Sequence, residues 1–283
     1  MIETVKIEHR RDVLSLVPGV VFATVPGWFN ATWDQLKMDI IMPKNREGHR
    51  PLPCLVWVCG GGFMDVDTTV WLPEMVRIAD AGFVVASVEY RVSSQAQFPA
   101  QLEDVKAAVR FLRANADRYC IDPEHIFAMG ESAGGTMASL LGVSGDAPGL
   151  DVGEHTDVSS AVQGVVDVYG LVKLPTEPIP PSTGLPYWLV EALLGPGYTK
   201  ERAESASAAC LVSGKTPPFL ILQGTADIVV DPVQSRQMYD ALTSHGIPAE
   251  LVYIEGAGHG DDLIYQDAVM ERVISFLKGL AEV

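Results

Sequence analysis

The chain has 283 residues, 48% of them hydrophobic, and this length suits one large domain better than two. Its 36 acidic and 20 basic residues give a formal net charge of -16, which disfavours binding to nucleic acids or anionic membrane surfaces. Charged residues interrupt the N-terminal segment where a signal peptide needs an apolar core, and no apolar run reaches transmembrane length. We therefore expect a cytoplasmic protein, and we leave open whether it forms a homodimer.

The four cysteines lack the CxxC spacing of common zinc sites. Apolar residues surround three of them, which favours buried thiols in a reducing compartment. We therefore expect no metal ion, and the chemistry inferred below needs no cofactor.

Strand patterns dominate the beginning of the chain. Residues 20–25 and 36–41 predict an antiparallel pair at one edge of a sheet. Residues 54–59 form the first unbroken apolar run, which predicts a central strand covered on both faces. Three glycines and Phe63 follow, and a loop of this kind lets amide hydrogens approach a ligand closely. An anion hole for acyl chemistry or a structural turn fits better than a phosphate-binding loop, because the P-loop lysine and hydroxyl residue are absent.

Strands and helices then alternate. Helices are predicted over 71–81 and 101–119, and strands over 83–88 and 126–129. The same patterns predict later strands over 161–169, 219–223 and 249–254, and helices over 136–141, 233–245 and 263–280. This alternation predicts a single α/β domain over residues 1–283, with a mostly parallel sheet and helices on both faces.

The alternation breaks over residues 171–213, where prolines crowd and only short helices are predicted, over 187–194 and 200–209. Because ligands bind at the carboxyl ends of parallel strands, an insertion after such a strand overhangs the ligand crevice. We interpret this segment as a lid. Its aromatic residues Tyr187 and Trp188 either line a substrate pocket or pack the lid onto the body.

Ser132 lies in the sequence Gly-Glu-Ser-Ala-Gly, between the strand over 126–129 and the helix over 136–141. The two glycines leave space where strand and helix cross, and the serine is held in a strained turn. The pattern could arise by chance in a chain with 26 glycines, but the strand before it and the helix after it favour a nucleophile elbow.

A serine hydroxyl needs a base to take its proton and a further group to orient that base. Among six histidines, His259 alone lies in a glycine-flanked loop after a predicted strand, at the same sheet edge as Ser132. Asp227 directly follows another buried strand and is the candidate orienting carboxylate, with Asp231 as the alternative.

Six segments carry a resemblance to a known family. They are CGGGF at 59–63, EYR at 89–91, FPAQLEDVKAAVRFL at 98–112, IDPEHIFAMGESAGG at 121–135, LQGTAD at 222–227 and GAGHG at 256–260. Together they resemble esterases of the α/β-hydrolase fold, in the hormone-sensitive-lipase-like and carbohydrate-esterase branches. The likeness to prolyl oligopeptidase catalytic domains is weaker. The order serine, aspartate, histidine along the chain is also the order of this fold.

The resemblance implies that Ser132 is acylated, that His259 transfers the proton and that Asp227 orients the imidazole. It implies oxyanion-hole amides at Gly61, Gly62 and Ala133. The side chains that we expect to contact substrate are Phe63, Glu131, Tyr187 and Trp188.

One position departs from the family pattern. Esterases of this type usually carry a histidine before the three glycines, and its ring braces the loop; Cys59 stands there in this chain. A thiol cannot form the same hydrogen bonds as an imidazole. The sequence therefore leaves open how the loop is held.

These features predict a serine carboxylesterase with a small-molecule ester substrate. We expect short acyl groups, acetyl or alternatively feruloyl, on carbohydrates or small alcohols. A small amidase or peptidase-type hydrolase, such as a formamidase, is the enzymatic alternative, and an inactive hydrolase fold that binds a ligand or partner is the non-enzymatic one.

Overall fold

The computed structural model of the protein describes residues 1–8, 11–27, 30–45, 48, 50–145, 147, 149–176 and 187–281. The side chain of Tyr187 lies outside this description. The strands are β1 Leu14–Pro26, β2 Trp33–Pro43, β3 Leu52–Val58, β4 Val84–Val88, β5 Ile121–Glu131, β6 Val165–Val168, β7 Phe219–Gly224 and β8 Ala249–Ile254. The helices are α1 Leu72–Asp80, α2 Ala100–Ala114, α3 Ala116–Tyr119, α4 Ala133–Ser144, α5 Tyr187–Leu194, α6 Lys200–Ser205, α7 Ala208–Leu211, α8 Val233–Ser244 and α9 Asp267–Ala281. A short 3₁₀ helix, Asp262–Tyr265, precedes α9.

The strands described form one sheet in the order β1-β2-β4-β3-β5-β6-β7-β8. β1 pairs with β2 and β2 with β4 in antiparallel fashion, whereas β4, β3 and β5 to β8 run parallel. The predicted antiparallel edge and mostly parallel sheet are therefore confirmed. The carboxyl ends of β3, β5, β7 and β8 lie along one edge of the sheet, where the candidate site residues follow them.

The central strands bury side chains on both faces of the sheet. On β3, Val56 and Val58 belong to one apolar cluster, while Leu55 and Trp57 belong to the cluster on the opposite face. Because successive side chains of a strand point to opposite faces, an unbroken apolar run is what a doubly covered strand requires. Helix α2 covers the first face and helix α9 the second.

The structure differs from the predicted elements mainly at their ends. The helix predicted over 101–119 is two helices, α2 and α3, that meet at Asn115. The side-chain amide of Asn115 donates to the carbonyl of Phe111, which satisfies a helix-end acceptor locally and favours termination there. The strand predicted over 161–169 shortens to Val165–Val168, the stretch that pairs with β5 and β7.

The described part of the insertion over 171–213 packs onto the body of the protein. Val190, Leu193 and Leu194 of α5 are buried in the same apolar cluster as α2. Arg202 also donates to the backbone carbonyl of Phe98. Residues 177–186 of the predicted lid lie outside the described residues. That the segment acts as a lid stays a prediction.

Helices long and apolar enough to cross a bilayer do not occur among the residues that the structure describes.

Candidate active site

Ser132 occupies the turn between β5 and α4. Its backbone has φ 56° and ψ -121°, a conformation that costs energy for a residue with a side chain. A Cβ on Gly134 would overlap the carbonyl oxygen of Val58, and one on Gly130 would overlap the carbonyl of Gly134. The glycines on each side of the serine are therefore required by close backbone approach, as the motif predicted.

Ser132, His259 and Asp227 form a series in which His259 lies within hydrogen-bond distance of both other residues. Nε2 of His259 is 2.9 Å from Oγ of Ser132, and its Nδ1 is 2.8 Å from Oδ2 of Asp227. Since an ionised carboxylate only accepts hydrogen bonds, Nδ1 carries a proton and Nε2 of the neutral ring is free to accept the serine proton. The second carboxylate oxygen, Oδ1, accepts from the amides of Val229 and Val230 at 2.8 and 2.9 Å.

The Asp227 carboxylate is nearly inaccessible to solvent. Burial raises its pKa, but the hydrogen bonds from His259 and from the two backbone amides outweigh burial, and its pKa is lowered overall. Asp227 therefore stays ionised opposite the imidazole at neutral pH, where it can stabilise a positively charged ring.

The alternative carboxylate, Asp231, is placed differently. It is exposed, and its Oδ1 accepts from the amide of Val233 at 2.9 Å, at the start of α8. Asp261 likewise accepts from the amide of Leu263 at 2.9 Å, next to the 3₁₀ helix. Both carboxylates serve local backbone groups.

The loop after β3 and the first residue of α4 face the same cavity as Ser132. Gly61 and Gly62 have φ of 141° and 62°, values that suit glycine. Among the hydrogen bonds of the described residues, none uses the amide of Gly61, Gly62 or Ala133. That these three amides hold an oxyanion stays a prediction.

Cys59 is buried, and its Sγ lies 3.6 Å from Oγ of Ser87. Burial, and secondarily the nearby Glu131 carboxylate, raises the pKa of the Cys59 thiol well above its usual range. The thiol therefore remains protonated, and its described hydrogen-bond partner is Ser87, not a glycine of the loop.

The carboxylate of Glu131 contacts that loop instead. It accepts from the Gly60 amide at 2.5 Å, from Trp71 Nε1 at 2.9 Å and from Trp57 Nε1 at 3.1 Å. Burial raises the pKa of the carboxyl to about 7, although these hydrogen bonds lower it. Glu131 lines the cavity, and the contact with substrate that the sequence suggested for it stays a prediction.

A cavity of about 400 Å³ opens beside the serine, and Phe63 lines it as the sequence suggested. Trp188 is 56% exposed and is not part of the lining, while its neighbour Leu189 is. Further apolar lining includes Val70, Trp71, Leu171, Val229 and Val230. Sequence reasoning missed Leu189 because it favoured the aromatic residues Tyr187 and Trp188 over the aliphatic residue that follows them.

An aromatic chain that the sequence did not reveal supports the histidine. The rings of Tyr169 and His259 lie 4.7 Å apart between centroids, and the Tyr169 hydroxyl is 2.7 Å from that of Tyr265. Tyr265 in turn stacks on Trp71 at 4.0 Å. The ring of the candidate base is thus packed against a buried aromatic side chain.

Comparisons with known proteins identify the family of the chain and esterases that it resembles. The BD-FAE family model matches residues 38–242. The curated protein Esterase LipC of Mycobacterium tuberculosis is 29% identical over 220 residues, which cover 76% of this chain and 54% of that protein. The chain thus spans about half the length of this curated relative.

Two solved structures are similar over nearly their whole length. A truncated carbohydrate esterase from gut microbiota superposes with a TM-score of 0.79 at 24% identity, covering 95% of this chain and 97% of that one, a likeness of fold. The esterase Est2 of Thermogutta terrifontis, solved with propionate bound, has a TM-score of 0.73 at 26% identity, covering 87% of this chain and 90% of that one.

Proposed function

The chain belongs to the BD-FAE family and has the α/β-hydrolase fold, and from this premise we propose that it is a serine carboxylesterase. The observation that carries the proposal is the hydrogen-bonded series Ser132, His259 and Asp227 beside a cavity lined by unused backbone amides. A serine, a base and an orienting carboxylate in this geometry are what acyl transfer requires.

In the proposed reaction, Oγ of Ser132 attacks the ester carbonyl carbon while Nε2 of His259 takes the serine proton. The carbonyl oxygen becomes an oxyanion and accepts hydrogen bonds from the loop amides, each worth about 3 kcal/mol in the transition state. His259 then protonates the leaving alcohol, and an acyl-enzyme remains. Water, deprotonated by the same imidazole, attacks the acyl carbon and releases the acid and free Ser132.

The cavity favours short acyl groups. Its volume of about 400 Å³ is at the small end for a ligand site, and Leu189 lies against the oxyanion loop at Gly62. The bound propionate in the Est2 structure is consistent with this size in a similar protein. We propose acetyl esters of carbohydrates or other small alcohols as substrates, with feruloyl esters as the second candidate. The cytoplasmic location remains a sequence-based expectation, and the sequence leaves open whether the chain forms a homodimer.

Labelling with a fluorophosphonate probe tests the proposal. We expect the native protein to be labelled and Ser132→Ala to be unlabelled, with a melting temperature close to that of the native protein. A native protein that resists labelling and hydrolyses no ester would support the inactive binding module instead.

Rates on 4-nitrophenyl acetate, butyrate and octanoate, on acetylated xylo-oligosaccharide and on methyl ferulate then define the acyl group and the alcohol. We expect kcat/KM to be highest for acetyl esters. A preference for octanoate would contradict the short-acyl proposal, and faster cleavage of an aryl formamide than of the matching ester would favour the amidase.

A further inference from the structure

Both polar groups of one peptide unit, the one joining Cys59 to Gly60, are held by side chains. The Cys59 carbonyl accepts from the Tyr90 hydroxyl at 2.9 Å, and the Gly60 amide donates to Oε1 of Glu131 at 2.5 Å. This unit directly precedes Gly61 and Gly62, which line the cavity. Fixing it sets the direction in which the following loop leaves β3.

Burial of the Glu131 carboxylate is energetically unfavourable in itself. Glu131 is only 5% exposed, and its three described donors, the Gly60 amide and the indoles of Trp57 and Trp71, are all uncharged. Burying a carboxylate without a cation is unfavourable unless its hydrogen bonds compensate. A carboxylate offers acceptors on both oxygens, whereas the isosteric glutamine offers only one acceptor oxygen and would place N–H groups against an N–H donor. The surrounding donors therefore favour a glutamate over a glutamine at this position.

Glu131 and the nucleophile are consecutive residues at the end of one strand. A Cβ on Gly60 would lie 2.7 Å from the Glu131 carbonyl oxygen and 3.2 Å from Cβ of Ser132, so loop and elbow are in direct contact. β3 and β5 are also paired, with Val58 opposite Gly130. The carboxylate thus joins the loop to the same backbone segment that carries the attacking oxygen.

We propose that Glu131 is a positioning residue that takes the place of the missing loop histidine: its carboxylate holds the Cys59–Gly60 peptide unit and thereby the oxyanion amides of Gly61 and Gly62. This inference rests on the proposed esterase function. Cys59 cannot do this work, because its thiol contacts Ser87 and not the loop glycines. Oxyanion donors act only when they lie about 2.7 to 3.1 Å from the developing charge, so a small displacement of the loop is felt mainly in the transition state.

The decisive variant is Glu131→Gln. We expect kcat for 4-nitrophenyl acetate to fall by about 100-fold with KM within about twofold, as for the loss of an oxyanion donor. Affinity for trifluoroacetone, which adds to serine to form an oxyanion, should fall by a similar factor. The matched control is Glu74→Gln on α1, where the carboxylate pairs with Arg77 outside the cavity, and it should keep native kcat.

A rescue variant separates positioning from general damage. In Glu131→Gln the amide oxygen can face Gly60 and Trp71, which leaves the amide nitrogen against the N–H of Trp57. Trp57→Phe removes that opposing donor. The factor by which Glu131→Gln lowers kcat should therefore be about tenfold smaller in the Trp57→Phe background than in the native protein.

Melting temperatures identify variants that fail to fold. If Glu131→Gln does not fold, Glu131→Asp provides the test, because it keeps the charge but withdraws the oxygens by about 1.5 Å, and it should lose kcat in the same way. A Glu131 variant that folds and keeps kcat within threefold, loses activity through KM alone, or keeps native affinity for trifluoroacetone would overturn the proposal. The proposal would also be overturned if Glu131→Gln lowered kcat by the same factor in the Trp57→Phe background as in the native protein. Failure of the esterase proposal is distinct, because the native protein would then lack Ser132-dependent activity.

Discussion

Asp227 holds His259 with one carboxylate oxygen and is itself held through the other. Oδ2 lies 2.8 Å from the imidazole, while Oδ1 is occupied by two backbone amides that follow β7. The carboxylate therefore cannot rotate freely, and the direction of the ring is set by the backbone. An orienting group fixed in this way gives the base one defined tautomer.

Asp227→Asn should lower kcat by about 10³- to 10⁴-fold, because an amide nitrogen facing Nδ1 favours the wrong imidazole tautomer. Asp231→Asn is the matched control from the same loop and should stay within about twofold of native, with at most about 1 kcal/mol lost from the free energy of unfolding. Steady-state hydrolysis of 4-nitrophenyl acetate measures both. A larger loss in the Asp231 variant would reverse the assignment of the orienting carboxylate.

Because of Asp167 on β6, the free energy of unfolding should depend on pH. Burial raises the pKa of its carboxyl to about 7, although the hydrogen bond from the Gly170 amide lowers it. Because the pKa is higher in the folded than in the unfolded state, the folded state binds more protons between about pH 4 and pH 7. The stabilisation from this carboxyl is thus complete below that window and is lost as the pH rises through about 7.

Asp167→Asn lacks this titration. Its free energy of unfolding relative to the native protein should therefore rise between pH 4 and pH 8, by up to ~4 kcal/mol. Urea unfolding at several pH values measures the difference, and Asp240→Asn on the surface serves as the control. A difference that is flat with pH would show that Asp167 does not change its charge in this window.

Gly134→Ala should destabilise the protein by about 3 kcal/mol or prevent folding, because the added Cβ would overlap the Val58 carbonyl and the backbone on both sides is buried. Gly279→Ala is the matched change in α9. No heavy atom lies within 4 Å of its added Cβ, and a helical alanine should stabilise by about 0.5 to 1 kcal/mol. Thermal unfolding distinguishes the two, and equal effects would contradict the close contact at Gly134.

Leu189→Ala should enlarge the cavity and shift preference towards longer acyl chains. We expect the ratio of kcat/KM for octanoate to that for acetate to rise about tenfold, since each buried methylene contributes on the order of 1 kcal/mol. Trp188→Ala should leave the ratio unchanged, because that side chain lies outside the cavity lining. A changed ratio in Trp188→Ala together with an unchanged ratio in Leu189→Ala would indicate that Trp188 contacts the substrate, as the sequence suggested.

Much of the fold was predictable because its signals are local. Unbroken apolar runs marked β3 and β5, and helical periodicity marked α2. The candidate residues Ser132, Asp227 and His259 could be named because each follows a strand in a loop with its own motif, and loops at one sheet edge meet. Their catalytic roles remain proposals.

The partners of Glu131 could not be found in this way. Trp57, Trp71 and Gly60 are 60 to 74 residues away along the chain, and neither an indole nor a glycine in a strand or loop signals that it will donate to a distant carboxylate. The same holds for the contact between Tyr169 and Tyr265. The contact of Trp57 with Glu131 depends on the register of β3 and β5, and the contacts of Trp71 and Tyr265 depend on how helical segments pack; periodicity specifies neither.

At Gly134 the first turn of α4 meets the end of β3 main chain against main chain, and at Gly60 the loop lies against the carbonyl of Glu131 and Cβ of Ser132. The approach of the elbow to the loop is therefore set by backbone contacts as well as by the Glu131 carboxylate, whereas the cavity is lined by side chains such as those of Val70, Leu171 and Leu189. Substitutions in the second set can alter substrate range while the reacting atoms keep their places. Directed evolution of the substrate range should therefore vary the side chains of the cavity lining and keep Gly60 and Gly134 unchanged.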